Sequence, residues 1–121
     1  MKFLITEDKR KELAFQLIDD YFTKTFGGLE AVSNEEDFYE EIYFYPKDWD
    51  NDTEHIFYKN FYGILWPEDC DTWYHLLKLL KSMSFDTQDS RKIICEYFSK
   101  KFEVKIKGSN AESCLEPDSD W

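Results

Sequence analysis

Two histidines, His55 and His75, and three cysteines, Cys70, Cys95 and Cys114, are the residues of this chain best suited to acid–base, nucleophilic or soft-metal chemistry. Their spacing serves that chemistry poorly. Cys70-x4-His75 could begin a zinc site, but no further ligand follows at a zinc-site spacing. Cys95 beside a histidine base would make a nucleophile, yet it adjoins Ile94 in a run with helical apolar spacing, which suits a small core residue. His75 lies in WYHLLKLL between aromatic and leucine pairs and reads as a partly buried packing histidine. Asp48, Asp50 and Asp52 stand at i, i+2 and i+4, as an EF-hand loop begins. Thr53 then occupies the position that needs glycine, and Lys59 the position that needs glutamate. Phosphate loops and dinucleotide fingerprints are absent from the sequence. The expectation is a chain that is not an enzyme, with no catalytic residue, cofactor or metal.

What stands out instead is EEIYFYPKDWDND, residues 40–52, where Tyr43, Phe44, Tyr45 and Trp49 sit among carboxylates. From Glu35 to Glu54 the acids are Glu35, Glu36, Asp37, Glu40, Glu41, Asp48, Asp50, Asp52 and Glu54, with Lys47 the single base. Concentrating like charge costs stability through repulsion, so such a surface suggests a use. Tyrosine and tryptophan dominate interface hot spots, because each buries a large rigid area and keeps a polar tip. Carboxylates around them would meet lysine and arginine and set register and association rate. The plain alternative is that one set of rings fills the core: Tyr43 and Tyr45 face one way, Ile42 and Phe44 the other.

The global quantities agree with a charged binding protein. The chain has 121 residues, 42% of them hydrophobic and 19% aromatic, enough for one core, and a net charge of −11. That charge repels nucleic acid and anionic membrane and attracts a basic partner. The balance reverses locally from Thr87 to Lys107, where six bases oppose three acids. No apolar run approaches the ~20 residues of a bilayer span. MKFLITEDKRK holds only a Phe-Leu-Ile run before charge returns, short of the apolar core of a signal peptide. Three cysteines without a framework fit a reducing compartment, so a cytoplasmic location is expected.

The positioning elements follow from periodicity. Leu13, Leu17, Ile18, Tyr21 and Phe22 share a stripe on a helix over residues 7–26, with Thr6 as N-cap and Gly27-Gly28 as its stop. Ser33 and Glu36 have capping-box spacing for a short helix from Asn34 to about Glu41. Residues 42–45 favour extended chain before Pro46, and 47–52 read as a loop. EHIFYKNFYGILW is ambiguous. Ile56, Tyr58, Asn60 and Tyr62 would share a strand face, whereas Phe57, Phe61, Ile64 and Leu65 would share a helix face. Thr53-Glu54 as a start and Gly63 as a late break favour the helix. Trp73, Leu76, Leu77, Leu80 and Met83 form the next helix stripe. Ile93, Ile94, Tyr97, Phe98 and Phe102 form the last, opened by Asp86 and Asp89. The run 103–107 alternates as one short strand. The expected fold is mainly α: a single-domain bundle of about four helices over residues 1–107. It has room for a small β element near residues 42–45, 56–62 and 103–107, and α+β is the alternative. Residues 108–121 are expected to be an acidic flexible tail.

The run Glu41-Ile42-Tyr43-Phe44-Tyr45-Pro46, followed by KDWDND and Thr53, resembles a segment of the immunity proteins of colicin DNases. That segment reads Asp-Leu-Ile-Tyr-Tyr-Pro, then an acid-rich loop ending Asp-Ser and a helix. The resemblance spans about a dozen residues. It implies that Glu41, Phe44 and Tyr45 contact a toxin, with Phe44 lacking a hydroxyl; this chain also continues with two helices that the family lacks. In size, acidity and poverty of chemistry it also resembles other toxin-immunity proteins, including those of contact-dependent growth inhibition. The expected function is an immunity or inhibitor protein for a basic partner, a cognate nuclease toxin. Its surface would comprise Glu35, Glu36, Asp37, Tyr39, Glu40, Glu41, Phe44, Tyr45, Asp48, Trp49, Asp50 and Asp52, with Tyr39, Tyr45 and Trp49 as anchors. It would touch neither nucleic acid nor membrane and would be a monomer or weak dimer. The alternatives are a phage-type DNA-mimic inhibitor of a nucleic-acid-binding enzyme and a structural or adaptor protein.

Overall fold

Helices form where the apolar residues recur at helical spacing, and strands form where turn residues cut the chain short. The computed structural model describes residues 7–34, 41–48, 55–112 and 114. In order these build α1 (Glu7–Phe26), β1 (Leu29–Asn34), β2 (Glu41–Pro46), β3 (Phe57–Lys59), β4 (Ile64–Pro67), α2 (Cys70–Ser82), α3 (Thr87–Phe102) and β5 (Gly108–Ser109). The strands lie side by side in the order β1-β2-β3-β4-β5. The first three pairings are antiparallel and β4–β5 is parallel. A parallel pair needs a long crossover, which here is made by α2 and α3.

The fold is therefore α+β, not the mainly α bundle of about four helices that the sequence suggests. The decisive error lies at residues 54–66, expected as a helix. Asn60 Oδ1 accepts hydrogen bonds from the amides of Tyr62 and Ile64, each at 3.0 Å, and Gly63 adopts φ +85°. This is turn chemistry, and it folds the segment into the β3–β4 hairpin. Of the short helix expected from Asn34 to about Glu41, the two end residues pair with each other in the sheet, and residues 35–40 lie outside the described residues. The strand expected at 103–107 falls slightly later. Val104 and Ile106 do alternate inward, but the ladder forms at Gly108–Ser109.

Helix α1 occupies the expected residues and ends at Gly27 and Gly28, with φ +70° and +98°. Their amides donate to Thr23 O and Phe22 O at 3.0 Å, closing the last turn. The buried line of α1 is Ala14, Ile18, Phe22 and Phe26; Leu13 and Leu17, expected in the stripe, are 44% and 38% exposed. In α2, Trp73, Leu76, Leu77 and Leu80 are buried as expected. In α3, Ile93, Ile94, Tyr97 and Phe98 are buried, and Asp86 caps the helix by accepting from Asp89 N at 2.7 Å. Phe44 and Phe57 on the inner sheet face meet Phe22, Trp73, Phe98 and Phe102 in one aromatic core.

Cys70 and Cys114 form a disulfide, while Cys95 is free and buried. This departs from the expectation of a chain without a disulfide framework. The cause is topological. Strand β4 runs directly into α2, so the chain leaving β5 alongside β4 returns to the start of α2. Asn110 N donates to Leu65 O at 3.0 Å on the way. Beyond residue 107, where the flexible tail is expected to begin, the sheet gains β5 and Cys114 is buried. Among the described residues no helix is long and apolar enough to cross a membrane.

Candidate partner-binding surface

Strand alternation divides β2 cleanly. Ile42, Phe44 and Pro46 are buried, and Glu41, Tyr43 and Tyr45 lie on the opposite face, half-buried. Cross-strand register carries this division outward. Glu30 and Val32 of β1 sit opposite Tyr45 and Tyr43, Tyr58 of β3 sits opposite Tyr43, and Trp66 of β4 sits opposite Tyr58. The three helices pack on the inner face. The outer face thus presents Tyr43, Tyr45, Tyr58 and Trp66, with carboxylates among and beside them.

The rings support one another. Tyr43 stacks on Tyr58 with centroids 5.0 Å apart. His55 meets Tyr43 edge-on at 4.8 Å and Tyr45 at 5.9 Å. His55 Nε2 lies 3.6 Å from Glu68 Oε1, an ion pair when the imidazole is protonated. The Tyr58 hydroxyl donates to Glu41 Oε2. Burial pushes the Tyr58 phenol up, and the hydrogen bond to Glu41 with the charges nearby push it further. Burial also raises Tyr43, helped by the Glu41 charge. Both phenols stay protonated at neutral pH; the Tyr58 hydrogen is committed to Glu41, and the Tyr43 hydroxyl can donate to a partner.

Four of the residues expected at the site are described. Glu41 and Tyr45 lie on the outer face. Asp48 is exposed on the turn after β2, where its amide donates to Phe26 O at 2.9 Å. Phe44 is corrected: it is 0% exposed in the aromatic core and cannot touch a partner. Glu35, Glu36, Asp37, Tyr39, Glu40, Trp49, Asp50 and Asp52 lie outside the described residues. Sequence reasoning missed Tyr58, Trp66, His55 and Glu68 as members of this face. The signal for Tyr58 was its place on the strand face of residues 56–62, which the helix reading set aside.

His75 is exposed and stacked on Tyr21 at 4.3 Å, not enclosed as expected. No histidine is among the residues lining the cavity beside Cys95. Burial pushes the Cys95 thiol up to about 11, so it is protonated at neutral pH. Among the described residues no group of three or more histidine, cysteine or carboxylate side chains could hold a metal. Comparison with family models, with curated proteins and with solved structures finds no match.

Proposed function

We propose that this chain is a binding protein of the inhibitor type, an immunity protein that captures a basic toxin, by the sequence resemblance a nuclease. One observation carries the reading: four aromatic side chains share the outer sheet face, with Glu41 among them and Glu30 and Glu68 beside them. Aromatic sheet faces can also stack nucleic acid bases. Carboxylates at this position and a net charge of −11 oppose a polyanion and favour a cationic protein. Docking would bury the rings, while Glu30, Glu68 and the acids of residues 35–54 would steer the encounter.

The reading extends to a cytoplasmic site of action. The Cys70–Cys114 disulfide opposes that placement, because disulfides persist in oxidising compartments. Alkylating thiols at the moment of lysis decides between them: one reactive cysteine after denaturation means an oxidising compartment, three a reducing one.

The partner is tested by co-purifying the tagged chain with the products of its neighbouring genes, at low and high salt. A basic protein retained at low salt is expected. Tyr45→Ala or Trp66→Ala should weaken its binding by roughly 2 kcal/mol if the ring is a hot spot. Unchanged affinity in both, and in Tyr43→Ala, would remove the sheet face as the docking surface.

A further inference from the structure

Residues Thr87–Lys107 are the basic part of an acidic chain, and the partner-binding face leaves them without a role. The fold wraps part of this run around a cavity of about 400 Å³ between α3 and the chain entering β5. That volume is within the ~300–1,000 Å³ of small-molecule sites. Arg91 and Lys92 reach it from α3, and Lys107 from the opposite wall. Glu96 is the one carboxylate among its lining residues, and Lys11 engages it at 3.3 Å. Ser99 and Ser109 add hydroxyls, and Ile106 adds an apolar wall. Ser109 also hydrogen-bonds the Cys95 thiol, which carries no charge at neutral pH.

We propose that this cavity binds a small organic phosphate, its phosphate held by Arg91, Lys92 and Lys107 and its apolar part lying against Ile106. Arginine offers a planar fork that matches phosphate oxygens, and the two lysines add point charges. Elsewhere the chain's charge repels such an anion, so the local cationic cluster directs it to this cavity. This site is separate from the outer sheet face and does not depend on the toxin reading.

The test titrates the full chain with adenosine monophosphate, inorganic phosphate and adenosine, reading amide NMR shifts. Both phosphates should shift Cys95, Gly108 and Ser109 saturably, and adenosine should not. The double variant Arg91→Glu/Lys107→Glu should weaken binding by at least about tenfold, a loss of about 1.4 kcal/mol. Lys105→Glu, exposed and not among the lining residues, should leave it within about twofold. Arg91→Gln and Lys107→Gln, each at an exposed position, repeat the test without charge reversal. Absence of a saturable shift, shifts mapping elsewhere, equal binding of adenosine, or full affinity in the charge variants would overturn the proposal.

Discussion

Tyr43 and Tyr58 stack at 5.0 Å as directly opposed residues of β2 and β3, and the Tyr58 hydroxyl reaches on to Glu41. The pair holds two phenols and a carboxylate in one arrangement before any partner arrives. Preorganisation of this kind reduces the entropy lost on docking. Tyr58→Phe keeps the stack and removes the bond to Glu41, so it should cost roughly 1 kcal/mol of stability. Tyr43→Ala removes the stack and should cost about 0.5–1.5 kcal/mol beyond its lost burial. Urea unfolding of both variants measures this. Equal stability of wild type and Tyr58→Phe would mean that solvent replaces the Glu41 contact without loss.

Phe44 and Tyr45 are neighbours with opposite roles. Phe44→Ala empties a site between Phe57, Phe98 and Phe102 and should destabilise by about 3–5 kcal/mol. Tyr45→Ala changes the outer face and should cost much less stability while weakening partner binding. The two readouts separate the variants: melting temperature responds to the first, partner affinity at equal folded fraction to the second. A small stability loss for Phe44→Ala would contradict its place in the core.

Alternation of inner and outer residues in β2 was visible in the sequence, but the resemblance put both Phe44 and Tyr45 on the partner surface, and the burial of Phe44 corrects that assignment. The α2 and α3 stripes were legible, since their apolar residues recur over several turns. The β3–β4 hairpin was not. Phe57, Phe61, Ile64 and Leu65 fit a helix by spacing, and the outcome turned on Asn60 and Gly63, whose turn role is visible only through their hydrogen bonds and φ. In α1 the leucines drew attention to Leu13 and Leu17, while the buried line runs through Ala14. The disulfide was illegible because Cys70 and Cys114 meet only through the parallel β4–β5 pairing, a contact that local periodicity does not encode.

Acid should weaken the α1–α3 contact. Asp19 Oδ1 accepts from the Tyr97 hydroxyl at 2.8 Å and lies 3.0 Å from Lys101 Nζ. Burial works to raise the Asp19 carboxyl, but the Tyr97 hydrogen bond and Lys101 outweigh it and hold it below its ordinary value. A lowered folded-state value means stability present at neutral pH and lost as pH falls through that value. The side chains of Asp19 and Lys101 are 40% and 51% exposed, so the effect is screened to about 1 kcal/mol or less. Asp19→Asn should therefore be less stable than wild type at neutral pH, and the gap should close below about pH 4. A gap independent of pH would show that the charge on Asp19 is not its source.

The Cys70–Cys114 disulfide closes a loop across 44 residues of sequence, removing freedom from the unfolded chain. By chain entropy alone its loss should cost about 4 kcal/mol, and measured values for such bonds are commonly about 2–4. Cys114→Ser should show that loss in urea unfolding, and reduction of the wild type should reproduce it. The effect should also be local. Asn110 N and the β4–β5 pairing sit between Cys114 and the sheet, so their amides should exchange faster in the variant under native conditions. Amides in the middle of α1 should instead follow only the global change. Uniform acceleration throughout the chain would mean that β5 opens only when the whole domain unfolds. An unchanged unfolding midpoint would mean that the bond does not contribute to stability.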